Sequence, residues 1–156
     1  MIRIFIGCAP NGHDAESCAV LEYSIRRHAS EPVEINWMSL NRDPTSPWYS
    51  EQSRGWQTAQ WATPFTGLRW AVPWVCGYEG RAIYTDSDVI FQGDVAELWH
   101  QEFRSGRVVK RSAHDTWRFC VSLWNCSEAR IYLPPIDAIR ADHRCAFKKL
   151  NGLSAT

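Results

Sequence analysis

The stretch Arg81-Ala82-Ile83-Tyr84-Thr85-Asp86-Ser87-Asp88-Val89-Ile90-Phe91 decides how the chain is read. Residues 81–85 form a short apolar run with strand character, and residues 89–91 read as strand-like again. Between them stand two carboxylates separated by one serine. If the backbone turns here, both converge at the carboxyl end of a strand, where open α/β sheets bind ligands. Close carboxylates repel, so a positive group belongs between them. A hard divalent cation with oxygen ligands suits that place. Such a cation would bind a diphosphate, neutralise it and make it a better leaving group. The plainer reading of an Asp-x-Asp is one turn cap and one solvated carboxylate. Two things favour the first reading: apolar runs flank the pair, and Arg69 lies upstream, just before the strand that delivers it.

Working outward, Ile2-Arg3-Ile4-Phe5-Ile6-Gly7 reads as a buried first strand followed by a loop over residues 8–12. Asp14 is placed to cap a helix running to about His28, with Cys18, Leu21 and Ile25 on its inner face. A second strand covers Val33-Glu34-Ile35-Asn36-Trp37-Met38. Strand, helix and strand in that order predict a parallel sheet. Thr63-Pro64 predicts a helix through Val72, ended or kinked at Pro73. Asp94 and Glu97 have capping-box spacing before a short helix. Residues 107–110 and 119–124 read as further strands. Pro134-Pro135 opens a last helix, with Ile136, Ile139, Phe147 and Leu150 on one face.

The expected architecture is therefore a single α/β domain over residues 1–156, with a mostly parallel central sheet flanked by helices. Residues 41–61 interrupt it. They hold Trp48, Tyr49, Trp56 and Trp61 without periodicity, which suggests a functional loop. These aromatics either stack on the apolar C–H face of a sugar or plug an open sheet edge.

Composition narrows the classes. Seventeen Lys+Arg balance seventeen Asp+Glu, which speaks against a partner held through nucleic-acid phosphates. No apolar run reaches the roughly 18–20 residues of a membrane span. The polar start after Gly7 does not resemble a signal peptide, so a cytoplasmic protein is expected. The six cysteines, without a CxxC pair, are expected to be reduced and mostly small core residues. Nine tryptophans in so short a chain make a homodimer that covers apolar surface a candidate arrangement.

Several motifs together resemble a known family. They are Thr63-Pro64-Phe65 through Arg69, Val72-Pro73, Cys76-Gly77, the run from Gly80 to Asp88, and Gly93-Asp94-Val95-Ala96-Glu97-Leu98-Trp99. The first strand and Leu123-Trp124-Asn125 fit the same pattern. The chain resembles nucleotide-sugar-dependent glycosyltransferases with the Rossmann-like GT-A fold, above all the family-eight type that includes glycogenin and bacterial galactosyl- and glucosyltransferases. The resemblance covers most of residues 1–130, and residues 63–99 are its specific part.

It implies transfer of a hexose from a UDP-sugar, UDP-glucose or UDP-galactose first, to a hydroxyl acceptor with retention. Asp86 and Asp88 would hold Mn²⁺, with Mg²⁺ as substitute. Arg69 would touch the donor sugar and the first aspartate, and Ser87 lies within the motif. Ile6, Gly7, Cys8 and Ala9 would form the strand edge against the base.

The sequence departs from the family in three places. Cys8 and Ala9 stand where an aromatic and an aspartate are usual. Trp117-Arg118-Phe119-Cys120-Val121 replaces an Asn-Ala-Gly-like step. The C-terminal His-x-x-Gly-x-x-Lys pattern is absent, leaving His143, Lys148 and Lys149 as substitutes by charge only. Family members also run to about twice this length. Two other readings follow: a nucleotide-sugar-binding protein with weak donor hydrolysis, and a metal-independent, Trp-rich carbohydrate or protein interaction module. Asp115 is the one further carboxylate placed to serve an inverting mechanism, or else a turn residue. Arg104, Arg107, Lys110, Arg111 and Arg118 would meet phosphates or simply form a solvated face.

Overall fold

A computed structural model describes residues 1–51, 54–103, 107–111 and 117–151, with residues 107–111, 117, 118 and 151 given through their backbone. Asp115 and Arg104 lie outside the described residues, as do the side chains of Arg107, Lys110, Arg111 and Arg118.

A five-stranded sheet forms the centre, in the order β2-β1-β5-β7-β6. Its strands are β1 (Ile2–Gly7), β2 (Val33–Met38), β5 (Arg81–Asp86), β6 (Arg107–Arg111) and β7 (Trp117–Asn125). β1 pairs in parallel with both β2 and β5, while β7 is antiparallel to β5 and to β6. Four of the five strands thus run one way, as the strand–helix–strand opening predicts. A separate two-stranded ladder joins β3 (Ser50–Glu51) to β4 (Arg54–Gly55).

Apolar layers cover both faces of the sheet. Ile2, Ile4 and Ile6 of β1, with Ile83 and Leu123, pack against Leu21 and Ile25 of helix α1 (Ala15–His28). Phe5, Tyr84 and Trp124 point the other way, into a layer with Trp56, Leu68 and Trp70. Burial on both faces is why β1 reads as a nearly continuous apolar run rather than an alternating one.

Several expected elements differ. Residues 63–67 form turns, and Leu68–Ala71 is a 3-10 turn rather than part of an α-helix. Leu68 N donates to Phe65 O and Trp70 N to Gly67 O, both three residues back. Gly67 lies directly beneath the Trp61 indole, where a Cβ would meet ring carbon at 2.4 Å. Pro73 does not end a helix; it sits in the first turn of α2 (Val72–Val75), where its missing N–H leaves no bond unmade. Residues 89–91 join no ladder. The chain leaves the sheet after Asp86, and Phe91 N donates to Ser24 Oγ on α1.

Asp94 caps α3 (Val95–Trp99) by accepting from Ala96 N, as expected. The C-terminal helical region is three helices: α4 (Cys126–Tyr132), α5 (Ile136–Ala141) and α6 (Arg144–Asn151). Asp142, extended at φ −151°, separates the last two. Phe147, expected on the buried face, is 44% exposed. All six cysteines are free, but only Cys126 is fully buried; the others lie at the margins of the core.

Trp56 settles part of the aromatic question. It is 1% exposed, its Nε1 donates to Pro47 O, and Trp48 and Trp61 pack on the same core. Gln57 N and Arg140 O tie the segment to α5. Among the described residues no helix is long and apolar enough to cross a membrane.

Candidate active site

Asp86 is the last residue of β5 and stands opposite Gly7 at the end of β1. Two groups hold its carboxylate. Arg69 Nη2 donates to Oδ1 at 3.0 Å and reaches Oδ2 at 3.4 Å. The Tyr84 hydroxyl donates to Oδ1 from two residues back on the same strand. Arg69 is fixed in turn by Nε donating to Thr66 O at 3.0 Å, and its guanidinium lies 5.2 Å from the Tyr84 ring centre. The 3-10 turn puts Arg69 over the strand end. Burial pushes the Asp86 carboxyl above the usual range, against the opposing pull of Arg69 and Tyr84. Burial likewise pushes the Tyr84 hydroxyl well up, so it stays protonated as the donor.

Gly7 makes this arrangement fit. A Cβ there would come 2.7 Å from the Tyr84 hydroxyl and 2.9 Å from the Phe65 ring. Of the four expected strand-edge residues, Ile6 and Gly7 are buried, and Cys8 and Ala9 are partly exposed. Cys8 Sγ donates to Met38 O at 3.5 Å, and burial raises its thiol pKa.

Asp88 differs from Asp86. It is exposed on the turn after β5 and makes no hydrogen bond or ion pair with any described residue. Ser87 between them is 3% exposed, and its hydroxyl donates to Asp14 Oδ2 at 2.8 Å. The same Asp14 oxygen accepts from Ala9 N at 2.9 Å. Asp14 occupies the N-cap position of α1 but caps no amide there. It clamps the loop after β1 to the aspartate turn instead, a role that sequence reading missed.

Asp86 and Arg69 also line a cavity of about 620 Å³. Thr63, Thr66, Trp70, His143, Arg144 and Phe147 also line it. Phe119 and Cys120, adjacent on β7, both face it. Adjacent residues of a regular strand point to opposite faces. Here the register slips: Arg118 pairs with Lys110 but Ser122 with Val109, so residues 119–121 have no partner on β6. That bulge turns both side chains to one side.

His143 is 8% exposed and meets the Trp61 ring edge-on at 5.8 Å. Burial holds its pKa below the usual imidazole range, with Arg144 and Arg69 acting the same way, so it is uncharged at neutral pH. Lys148 and Lys149 are exposed on α6 and do not line the cavity.

Among the described residues no three of His, Cys, Asp or Glu gather as a metal cage. Asp86 and Asp88 alone fit a different kind of site. Mg²⁺-like ions are commonly held by one or two carboxylates, completed by water and substrate phosphates. The unpartnered Asp88 carboxylate beside the braced Asp86 matches that donor set.

No protein-family model matches the chain, and no curated protein matches it. Solved structures do. The glycosyltransferase GlyE of Streptococcus pneumoniae TIGR4 superposes with a TM-score of 0.62 at 16% identity, over 97% of this chain and 43% of that one. The bifunctional glycosyltransferase WbbM gives 0.63 at 13% identity, over 83% of this chain and 32% of that one. The galactosyltransferase LgtC, solved with donor and acceptor sugar analogues, gives 0.63 at 11% identity, over 96% and 66%. The chain has the GT-A-type fold of these glycosyltransferases. It spans less than half the length of GlyE and of WbbM, and 66% of LgtC.

Proposed function

We propose that the chain transfers a hexose from a UDP-sugar, UDP-glucose or UDP-galactose first, to a hydroxyl acceptor, with a divalent cation and with retention of configuration. The observation that carries this reading is Asp86: a strand-end carboxylate braced by Arg69 and Tyr84, next to the unpartnered Asp88, in the lining of a cavity of about 620 Å³. Asp86 and Asp88 would hold the cation, Mn²⁺ or Mg²⁺, which when bound neutralises the diphosphate as a leaving group.

The chain's own residues supply the rest. Arg69 fixes the Asp86 carboxylate before any ligand arrives, and such preorganisation is what electrostatic catalysis requires. Cys8 and Ala9 offer the exposed edge for the base. The cavity beside Asp86 receives the hexose. Asp86 is the only carboxylate among the described residues that line it, and it is already engaged by Arg69. Retention is what the family resemblance implies; Asp115, the carboxylate an inverting mechanism would use as base, lies outside the described residues.

Calorimetric titration with UDP, GDP and ADP, each with Mn²⁺ and with EDTA, tests the reading. Mn²⁺-dependent binding of UDP is expected, followed by release of UDP from UDP-glucose or UDP-galactose. Binding of no nucleotide, or binding indifferent to EDTA, overturns it.

A further inference from the structure

At the start of β5, the end opposite Asp86, two cysteines meet that the proposed reaction does not use. Cys76 caps the C-terminus of α2, and Cys126 is the first residue of α4. After Cys76 the chain turns sharply: Gly77, Tyr78 and Gly80 all have positive φ, at 65°, 58° and 67°. Three contacts hold this turn against α4. Asn125, just before Cys126, pairs with Arg81 in the ladder. Cys126 N donates to Gly80 O at 2.9 Å. The Arg130 guanidinium of α4 lies 5.6 Å from the Tyr78 ring centre. Within that frame the Cys126 thiol donates to the Cys76 sulfur. Cys126 is fully buried, while Cys76 keeps part of its surface in solvent.

We propose that Cys76 is a peroxide-reactive thiol and Cys126 its resolving partner, so that a hydroperoxide converts the pair to a disulfide joining α2 to α4. This does not depend on the transferase reading. The Cys76 sulfur attacks a peroxide oxygen; an S–O bond forms, the O–O bond breaks, and the thiol proton leaves with the alcohol or water released. The Cys126 sulfur then attacks Cys76. An S–S bond forms, the S–O bond breaks, and the hydroxyl departs as water with the Cys126 proton. The two thiols lose two electrons and the peroxide gains them.

A second pair in the molecule shows why this one is the reactive one. The hydrogen bond from Cys126 holds the Cys76 thiol below its ordinary value, against burial and the Glu34 carboxylate, and the Arg3 guanidinium acts in the same direction. Arg3 is fixed there by Nη2 donating to Glu79 O and Arg81 O, both at 2.7 Å. Cys8 and Cys18 are also neighbours, but burial and the Asp14 carboxylate raise both, Cys18 to about 11. The thiolate is the attacking form, so the first pair should oxidise and the second should not.

The test treats the full, reduced chain with a slight excess of hydrogen peroxide, blocks remaining thiols with N-ethylmaleimide and maps the peptides by mass spectrometry. The expected product is a Cys76–Cys126 disulfide within one chain, reversed by dithiothreitol, with Cys8 and Cys18 still alkylated. The bond closes a loop of roughly 50 residues, so the oxidised chain should melt at least about 5 °C higher. In Cys126→Ser, Cys76 should stop at the sulfenic acid and be trapped by dimedone. In Cys76→Ser, the buried Cys126 should remain a thiol. The map of the parent chain decides the matter even where a variant fails to fold. A Cys8–Cys18 disulfide forming first, a disulfide between two chains, or Cys76 still alkylated after peroxide overturns the proposal. Dimedone trapping of Cys76 as the main product in the parent chain does so as well, because Cys126 then resolves nothing.

Discussion

The end of β5 and the turn that follows it carry the same chemical group in opposite circumstances. Asp86 is largely buried and fixed by Arg69 and Tyr84, and burial pushes its carboxyl above the usual range. Asp88, two residues on, is exposed and has no described partner. Folding has determined where the first carboxylate points, while no described group fixes the second. On the proposed function the first shapes the site and the second captures the ligand. Mutations should separate the two.

Asp88→Asn should have the largest effect on binding, about a hundredfold or more on Mn²⁺-dependent UDP affinity by calorimetry, since it removes one of the two proposed metal ligands. Stability should stay within about 0.5 kcal/mol in urea melts, as for other exposed sites. Undiminished UDP binding would put the capture role elsewhere.

Asp86→Asn should also abolish transfer, but with the opposite signature in stability. Its folded pKa lies above the unfolded value, so below the unfolded pKa the group is protonated in both states and carries no penalty. As pH rises from the unfolded pKa to the folded one, the unfolded carboxyl ionises first and the folded state loses stability. The asparagine variant should therefore melt at a higher temperature than the parent at pH 7, and the difference should shrink in acid. A variant that melts lower at pH 7 would show the Arg69 pairing outweighing burial.

Gly7→Ala attacks the strand end from beneath. With contacts of 2.7 and 2.9 Å to accommodate, it should cost about 2 kcal/mol in chemical denaturation, as overpacked sites do. It should lower activity as well, because the Tyr84 hydroxyl must shift away from Asp86. Tyr84→Phe is the gentlest change, removing one buried hydrogen bond for about 1 kcal/mol. Activity equal to the parent's in Tyr84→Phe would reduce the brace on Asp86 to Arg69 alone.

The parts legible in sequence are those whose determinants are local. β1, α1, β2 and β5 follow from apolar runs and helical spacing, and the Asp86/Asp88 pair stands out because it interrupts one such run. The missed parts depend on distant partners. Asp14 looks like a helix cap, and only Ser87, 73 residues away, makes it a clamp. Residues 64–72 have helix-start chemistry, yet Trp61 packing on Gly67 and the proline at 73 favour a tighter turn. The β7 bulge exists only relative to β6. α4 could have been read, since Asn125 with Glu128 three residues on is capping spacing, and the Asn125 side chain does accept from Glu128 N.

The Asp14 clamp has a consequence for motion. One carboxylate oxygen holds both the loop carrying Ala9 and the turn carrying Asp88 through Ser87. The two loops, far apart in the chain, are hinged on a common pin. Displacing one of them strains or releases the other, so on the proposed function occupancy at the base edge and at the cation position would be coupled, each altering the affinity for the other by the same factor.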